Sequence, residues 1–154
     1  NRLEEINVVA FCENVISSLQ QKMEHKAITV KLEVAPQDIV KTYPAALGQV
    51  LFILIQNALS HAFSENSGVI YITGTSVGQD YSLKISDDGC GISSQALTKI
   101  FEPFYTTKRH EGGTGLGLSI AFNLVHKTLN GELRCTSELG VGTTFEIKLP
   151  RLMH

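Results

Sequence analysis

The sequence predicts an α+β fold: a two-layer sandwich in which a mixed, mostly antiparallel sheet of about five strands carries about three main helices on one face. Three observations predict it. Helical and strand periodicities are interleaved with antiparallel strand pairs, which favours helices layered on one side of a sheet. Two stretches, residues 69–86 and 132–149, read as strand pairs joined by glycine-containing turns. A third stretch, from Pro44 to Ala62, is apolar over nearly half its circumference, as expected of a central helix.

Residues 1–7 alternate weakly and are expected to form a short edge strand. From there apolar side chains recur at Val8, Cys12, Val15, Ile16, Leu19 and Met23, the spacing of one helix face. Residues 28–34 (I-T-V-K-L-E-V) alternate strictly, a half-buried strand. Pro36 and Asp38 mark a turn, and residues 39–43 a second short strand. Pro44 suits a helix first turn, where its missing N–H costs nothing. The helix it opens is expected to bury Leu47, Val50, Leu51, Leu54, Ile55, Ala58, Leu59 and Ala62. A polar turn at 64–68 leads to strands at 69–77 and 81–86, joined by Gly78, Gln79 and Asp80. Residues 87–91 form a tight glycine loop, and Ser93 is an N-cap signal for a short helix over 93–100. Residues 114–129 read as helical, with Leu116, Ile120, Leu124 and Leu129 inward. Strands at 132–137 and 143–149 complete the pattern.

A chain of 154 residues, 43% hydrophobic and 18% charged, is long enough for one domain with a real core. The net charge of −2 argues against a general nucleic-acid binder. Cys12, Cys90 and Cys135 are odd in number and far apart, so neither a disulfide framework nor a zinc site is expected, and a reducing cytoplasmic compartment fits. No apolar run reads as long enough to span a membrane, and no signal-peptide pattern opens the chain. A start at Asn1 without methionine is expected of a piece of a longer protein, whose other parts are free to carry a membrane anchor.

The chemistry concentrates in residues 101–119, F-E-P-F-Y-T-T-K-R-H-E-G-G-T-G-L-G-L-S. Gly112, Gly113, Gly115 and Gly117 follow Lys108 and Arg109 and run into a predicted helix, where unpaired N–H groups and the helix dipole favour an anion such as phosphate. Asn57 and His61 lie four apart on the central helix. An amide oxygen there suits Mg²⁺, with His61 beside it for a phosphate, although for the pair taken alone local backbone bonding is the better explanation. In D-D-G-C-G-I, Asp87 leaves a strand end where its carboxylate is able to accept from an exocyclic amine such as that of adenine, or else bonds its own backbone as an Asx-turn. Neither a P-loop nor a G-x-G-x-x-G fingerprint is present.

The order and spacing of these motifs, Asn on a helix, D-x-G-x-G, F-E-P-F-Y-T-T-K, G-T-G-L-G-L-S and G-x-G-T-x-F, resemble the catalytic and ATP-binding domain of two-component sensor histidine kinases, of the Bergerat ATPase superfamily. The resemblance runs from about Leu3 to Pro150. It implies that Asn57 coordinates a Mg²⁺ bridging the ATP phosphates, that His61 contacts a phosphate, and that Asp87 accepts from the adenine amino group with Gly89 and Gly91 shaping that wall. It implies Phe101 and Phe104 as anchors of an ATP lid, Lys108 and Arg109 reaching the γ-phosphate, Gly113, Gly115 and Gly117 as lid hinges, and Thr143 closing the adenine side. Ile92, Thr107, Thr114 and Leu116 belong to the same implied nucleotide-binding set, and Asn57, His61 and Lys108 to the implied catalytic set.

One departure stands out. The family's asparagine box commonly reads N-L-x-x-N-A, and this chain has Ile53 at the first Asn, where hydrolysing relatives carry a Glu base. A chaperone- or gyrase-type ATPase is therefore disfavoured, and a non-transferring, nucleotide-sensing domain is the other alternative. None of His25, His61, His110, His126 and His154 sits in the family's acceptor box. The implied partners are an upstream dimerisation and phospho-acceptor domain and a response-regulator receiver, within a homodimeric parent protein. The fragment alone is expected to bind ATP without autophosphorylating.

Overall fold

The computed structural model describes residues 2–63, 67–105 and 116–154. Five strands form one sheet in the order β2-β4-β5-β7-β6: β2 (Ala27–Glu33), β4 (Ser67–Val77), β5 (Asp80–Asp87), β6 (Glu132–Glu138) and β7 (Gly142–Pro150). Only β2 pairs in parallel, with β4, and the other three ladders are antiparallel. The short strands β1 (Glu4–Asn7) and β3 (Ile39–Thr42) pair with each other in a separate two-stranded ribbon. The edge strand expected at the chain start therefore belongs to this ribbon and not to the main sheet.

The central strands bury apolar residues in alternation, Ile70 and Ile72 on β4, Tyr81, Leu83 and Ile85 on β5, and Phe145, Ile147 and Leu149 on β7. That alternation sets one apolar face against the helices. The main helix of that layer is α3 (Pro44–Asn57), prolonged by a π-helical turn at Ala58–Ala62. Val50, Leu51, Leu54 and Ile55 on α3 are fully buried. Truncating a side chain such as Leu54 to alanine is expected to cost about 2–5 kcal/mol, read as a lower midpoint of chemical denaturation.

Pro44–Ala62 is 19 residues long with a mean hydropathy of 1.3, enough by length and composition to cross a membrane. The expectation that no run reaches that length is thus corrected. Half of the segment is buried in the folded chain, where Leu47, Val50, Leu51, Leu54 and Ile55 join the core. The remaining helices are α1 (Val8–Ser18), α2 (Gln20–Glu24), α4 (Ser94–Leu97) and α5 (Gly117–Asn123), the last prolonged by a π-helical turn at Leu124–Thr128. Asn7 caps α1 by accepting from the Ala10 N–H at 2.9 Å, and Ser93 caps α4 by accepting from Ala96 at 3.1 Å.

Three local expectations shift. The β4–β5 connection is a two-residue turn, Gly78-Gln79, because Val77 already pairs with Asp80. Helix α4 is a single turn and not eight residues. On α5 the buried line is Ala121, Val125 and Leu129, and Ile120 is 40% exposed.

Candidate nucleotide-binding site

The site is built at the C-terminal end of α3. The carbonyl groups there lack helical partners and must be satisfied from outside. Lys26 Nζ donates to Leu59 O, Cys90 N to Ala62 O at 2.7 Å, and Cys90 Sγ to His61 O at 3.5 Å. The loop after β5 is thereby clipped to the helix end. A Cβ at Gly89 would stand 2.3 Å from Ala62 O, so the glycine is demanded by this backbone approach. The two aspartates diverge. Asp88 Oδ1 accepts from the Val69 N–H at 2.8 Å, tying the loop to the start of β4. Asp87 turns toward a cavity.

That cavity has a volume of about 230 Å³ and is walled by Asn57 and His61 from α3, Asp87, Gly91 and Ile92 from the loop, and Thr143 from β7, with Ala62, Cys90, Ser93, Ala96 and Leu139 completing it. A smaller space of about 90 Å³ shares Asn57, His61, Ile92 and Ala96 and is closed by Ile100, Tyr105 and Leu118. The side chains from positions 57, 61, 87, 92 and 143 thus meet in one place. Asn57 and His61 line both spaces, so the π-helical turn keeps them on one side of the helix.

Asp87 Oδ1 accepts from the Gly89 N–H at 2.9 Å, the Asx-turn that the sequence left open, and Thr143 N–H also bonds the carboxylate. Burial nevertheless outweighs these bonds and holds the carboxyl above its ordinary range, with Asp88 adding repulsion. The opposite wall is latched by Ser137. Its hydroxyl accepts from the Ile92 N–H at 2.7 Å, donates to Gly142 O at 2.9 Å and lies 2.8 Å from Thr143 Oγ1. Neither Ser137 nor Cys90 stands out in the sequence, because each acts through backbone groups whose proximity arises only on folding.

The expectations for the lid separate. Phe101 packs on Phe122 at 5.0 Å and on Phe145 at 6.3 Å between ring centroids, as an anchor does. Phe104, expected as its companion, is 60% exposed at φ 69°. Gly117 opens α5 in helical conformation, and a Cβ there would meet Ile53 Cγ2 at 3.5 Å, an ordinary contact. Gly117→Ala is therefore expected to stabilise the fold by about 0.4–1 kcal/mol, seen as a higher melting temperature; a loss of stability would show that the position requires glycine. Leu116 lies just before α5. Thr107, Lys108, Arg109, Gly113, Thr114 and Gly115 lie outside the described residues.

Comparison with known proteins agrees with this geometry. The family described as histidine kinase-, DNA gyrase B-, and HSP90-like ATPase matches residues 42–153. The chain is 40% identical over 129 residues to the autoinducer 2 sensor kinase/phosphatase LuxQ of Vibrio cholerae, covering 80% of this chain and 15% of that protein. The catalytic domain of histidine kinase ThkA, in a nucleotide-free form, superposes with a TM-score of 0.86 at 28% identity, covering 99% of this chain and 97% of that one. ThkA is also solved in complex with the response regulator protein TrrA, matching at a TM-score of 0.81 and 25% identity over 97% of this chain and 42% of that one. The five-stranded mixed sheet, the cavity below the C-terminal end of α3 and these likenesses agree: the chain belongs to the histidine kinase-, DNA gyrase B- and HSP90-like ATPase family, as the catalytic ATP-binding domain of a sensor histidine kinase.

Proposed function

We propose that the 154 residues act as a single catalytic domain that binds Mg-ATP in this cavity. In the whole protein the domain transfers the γ-phosphoryl group to a histidine of a dimerisation domain, for passage to an aspartate of a response regulator. The observation that carries the reading is the meeting of Asn57, His61, Asp87 and Thr143 around one cavity from three separate parts of the chain. ThkA, with its response regulator, supports the choice of final partner. A homodimeric parent with this domain on the cytoplasmic side completes the proposal.

The residues present fit the nucleotide and the metal. Asp87 is held by two backbone N–H groups, and a carboxylate has acceptor sites to spare for an adenine amino group. The described residues contain no cluster of three or more His, Cys, Asp or Glu for a metal. A Mg²⁺ here would take its protein oxygen from the Asn57 amide and the rest from phosphates and water. When bound, it neutralises charge on the transferring phosphoryl group. His61, one turn on, is proposed to donate to a phosphate oxygen. Thr107, Lys108, Arg109, Gly113, Thr114 and Gly115 are proposed to complete the phosphate side, with Lys108 at the γ-phosphate. Ile53 offers no base, so the chemistry falls to positioning and charge stabilisation rather than activation of water.

Calorimetric titration with ATP, with and without Mg²⁺, tests the reading. The wild-type chain is expected to bind ATP more tightly with Mg²⁺, and Asn57→Ala to lose that enhancement. An unaltered Mg²⁺ response in Asn57→Ala removes the metal role of Asn57. No ATP binding by the folded wild-type chain overturns the nucleotide reading itself.

A further inference from the structure

The helix-facing side of the sheet changes character at one end. Successive cross-strand rows on β5, β7 and β6 read Leu83–Ile147–Leu133, then Ile85–Phe145–Cys135, then Asp87–Thr143–Ser137. The first two rows are part of the apolar core or packed against it. The third is polar throughout. A polar row on a core face must find its hydrogen bonds within the protein or in a ligand. Asp87 and Thr143 line the nucleotide cavity. Ser137 lies one strand beyond Thr143, paired with it across the β6–β7 ladder.

The hydrogens of this row can be counted. A hydroxyl has one hydrogen to give and two lone pairs to receive with. Ser137 Oγ receives the Ile92 N–H at 2.7 Å. Its one hydrogen goes to Gly142 O at 2.9 Å, because a carbonyl oxygen only accepts. The remaining contact, with Thr143 Oγ1 at 2.8 Å, is then closed by the hydrogen of Thr143. With that hydrogen spent on Ser137, Thr143 Oγ1 accepts from every other partner. Asp87, its neighbour on β5, accepts as well when it is a carboxylate. Ser137 thus fixes the polarity of the wall as two adjacent acceptors, with no hydroxyl hydrogen of the row left for the cavity. A buried network in which every member is satisfied holds one such arrangement.

We propose that Ser137 is a positioning residue for base selectivity: by taking the Thr143 hydrogen it makes the wall receive an amino group and refuse a carbonyl, so that a 6-aminopurine is chosen over a 6-oxopurine. The role rests on the nucleotide reading of the cavity. ATP and inosine triphosphate, which carries a carbonyl in place of the adenine amino group, are titrated calorimetrically into wild type, Ser137→Ala and Ser137→Thr. Wild type is expected to prefer ATP. Ser137→Ala frees the Thr143 hydrogen for the carbonyl and is expected to shrink that preference roughly tenfold. Its Mg²⁺ enhancement, which depends on Asn57, is expected to persist. Ser137→Thr keeps the hydroxyl and is expected to keep the preference. A site that is merely loosened weakens both nucleotides alike, so an unchanged ratio in Ser137→Ala overturns the proposal. So does a wild-type chain that binds the two nucleotides equally. A further readout needs no variant to fold. The Thr143 hydroxyl proton of the wild-type chain is expected to exchange slowly enough to be seen by NMR, with a cross-relaxation peak to the Ser137 β-protons, and a freely exchanging hydroxyl overturns the proposal. These failures leave ATP binding in place, whereas a folded wild-type chain that binds no ATP overturns both readings.

Discussion

Alanine at Gly91 is expected to destabilise the fold by about 3 kcal/mol or more, lowering the melting temperature by roughly 6–12 °C. Two penalties combine. Gly91 sits at φ 78°, a left-handed conformation, and a Cβ there would stand 2.2 Å from Glu138 O and 3.0 Å from Leu139 Cα. Both obstacles are backbone, so no change of rotamer relieves them. Nor is the loop free to retreat, since Gly140 N donates to Cys90 O at 2.8 Å and Ile92 N to Ser137 Oγ at 2.7 Å. Gly140→Ala separates the two penalties. Gly140 is at φ 80° with nothing within 4 Å of its Cβ position, so strain acts alone, at about 1–2 kcal/mol. Equal thermal shifts for the two variants would refute the steric part of the argument.

Asp87→Asn is expected to weaken ATP binding by about 1.5–3 kcal/mol, roughly tenfold to a hundredfold, while raising the stability of the nucleotide-free chain. The opposite signs have one cause. Burial holds the Asp87 carboxyl above its ordinary range, so folding favours its protonated form. Below the ordinary carboxylate value the group is neutral in both states and costs nothing. As pH rises from that value through the raised folded value, ionisation erodes stability, and the loss is complete above the folded value. Asparagine keeps an acceptor for the Gly89 N–H without the buried charge. Melting curves of wild type and variant should therefore diverge as pH rises through this window and run parallel above it. Wild-type ATP affinity should fall on acidification through the same window. A variant that binds ATP as wild type does, at any pH, would remove Asp87 from the adenine wall.

Much of the fold was legible because periodicity survives in isolation. Strict alternation in residues 28–34 and the apolar stripe of α3 each follow from one element meeting one face. The failures sit where two elements negotiate. Ile120 looks inward by helical spacing and is 40% exposed, because the packing of the helix against its neighbours buries Ala121 and Val125 instead. That Phe101 packs on Phe122 and Phe145 likewise depends on residues distant from it in the sequence.

By itself the sequence determined the class of fold, the hairpins and the order of the nucleotide motifs. These rest on local periodicity, on turn chemistry and on glycines that mark special backbone, all of which are written in near neighbours. Tertiary structure alone decided that Asp87 faces the cavity while Asp88 binds β4, and that Gly89 is shaped by Ala62 O. It also decided that Ser137 and Cys90 fasten the walls. Such assignments depend on which carbonyl or N–H group reaches a side chain from a distant strand. That proximity is created by burial of the sheet face on α3, and no spacing along the chain encodes it.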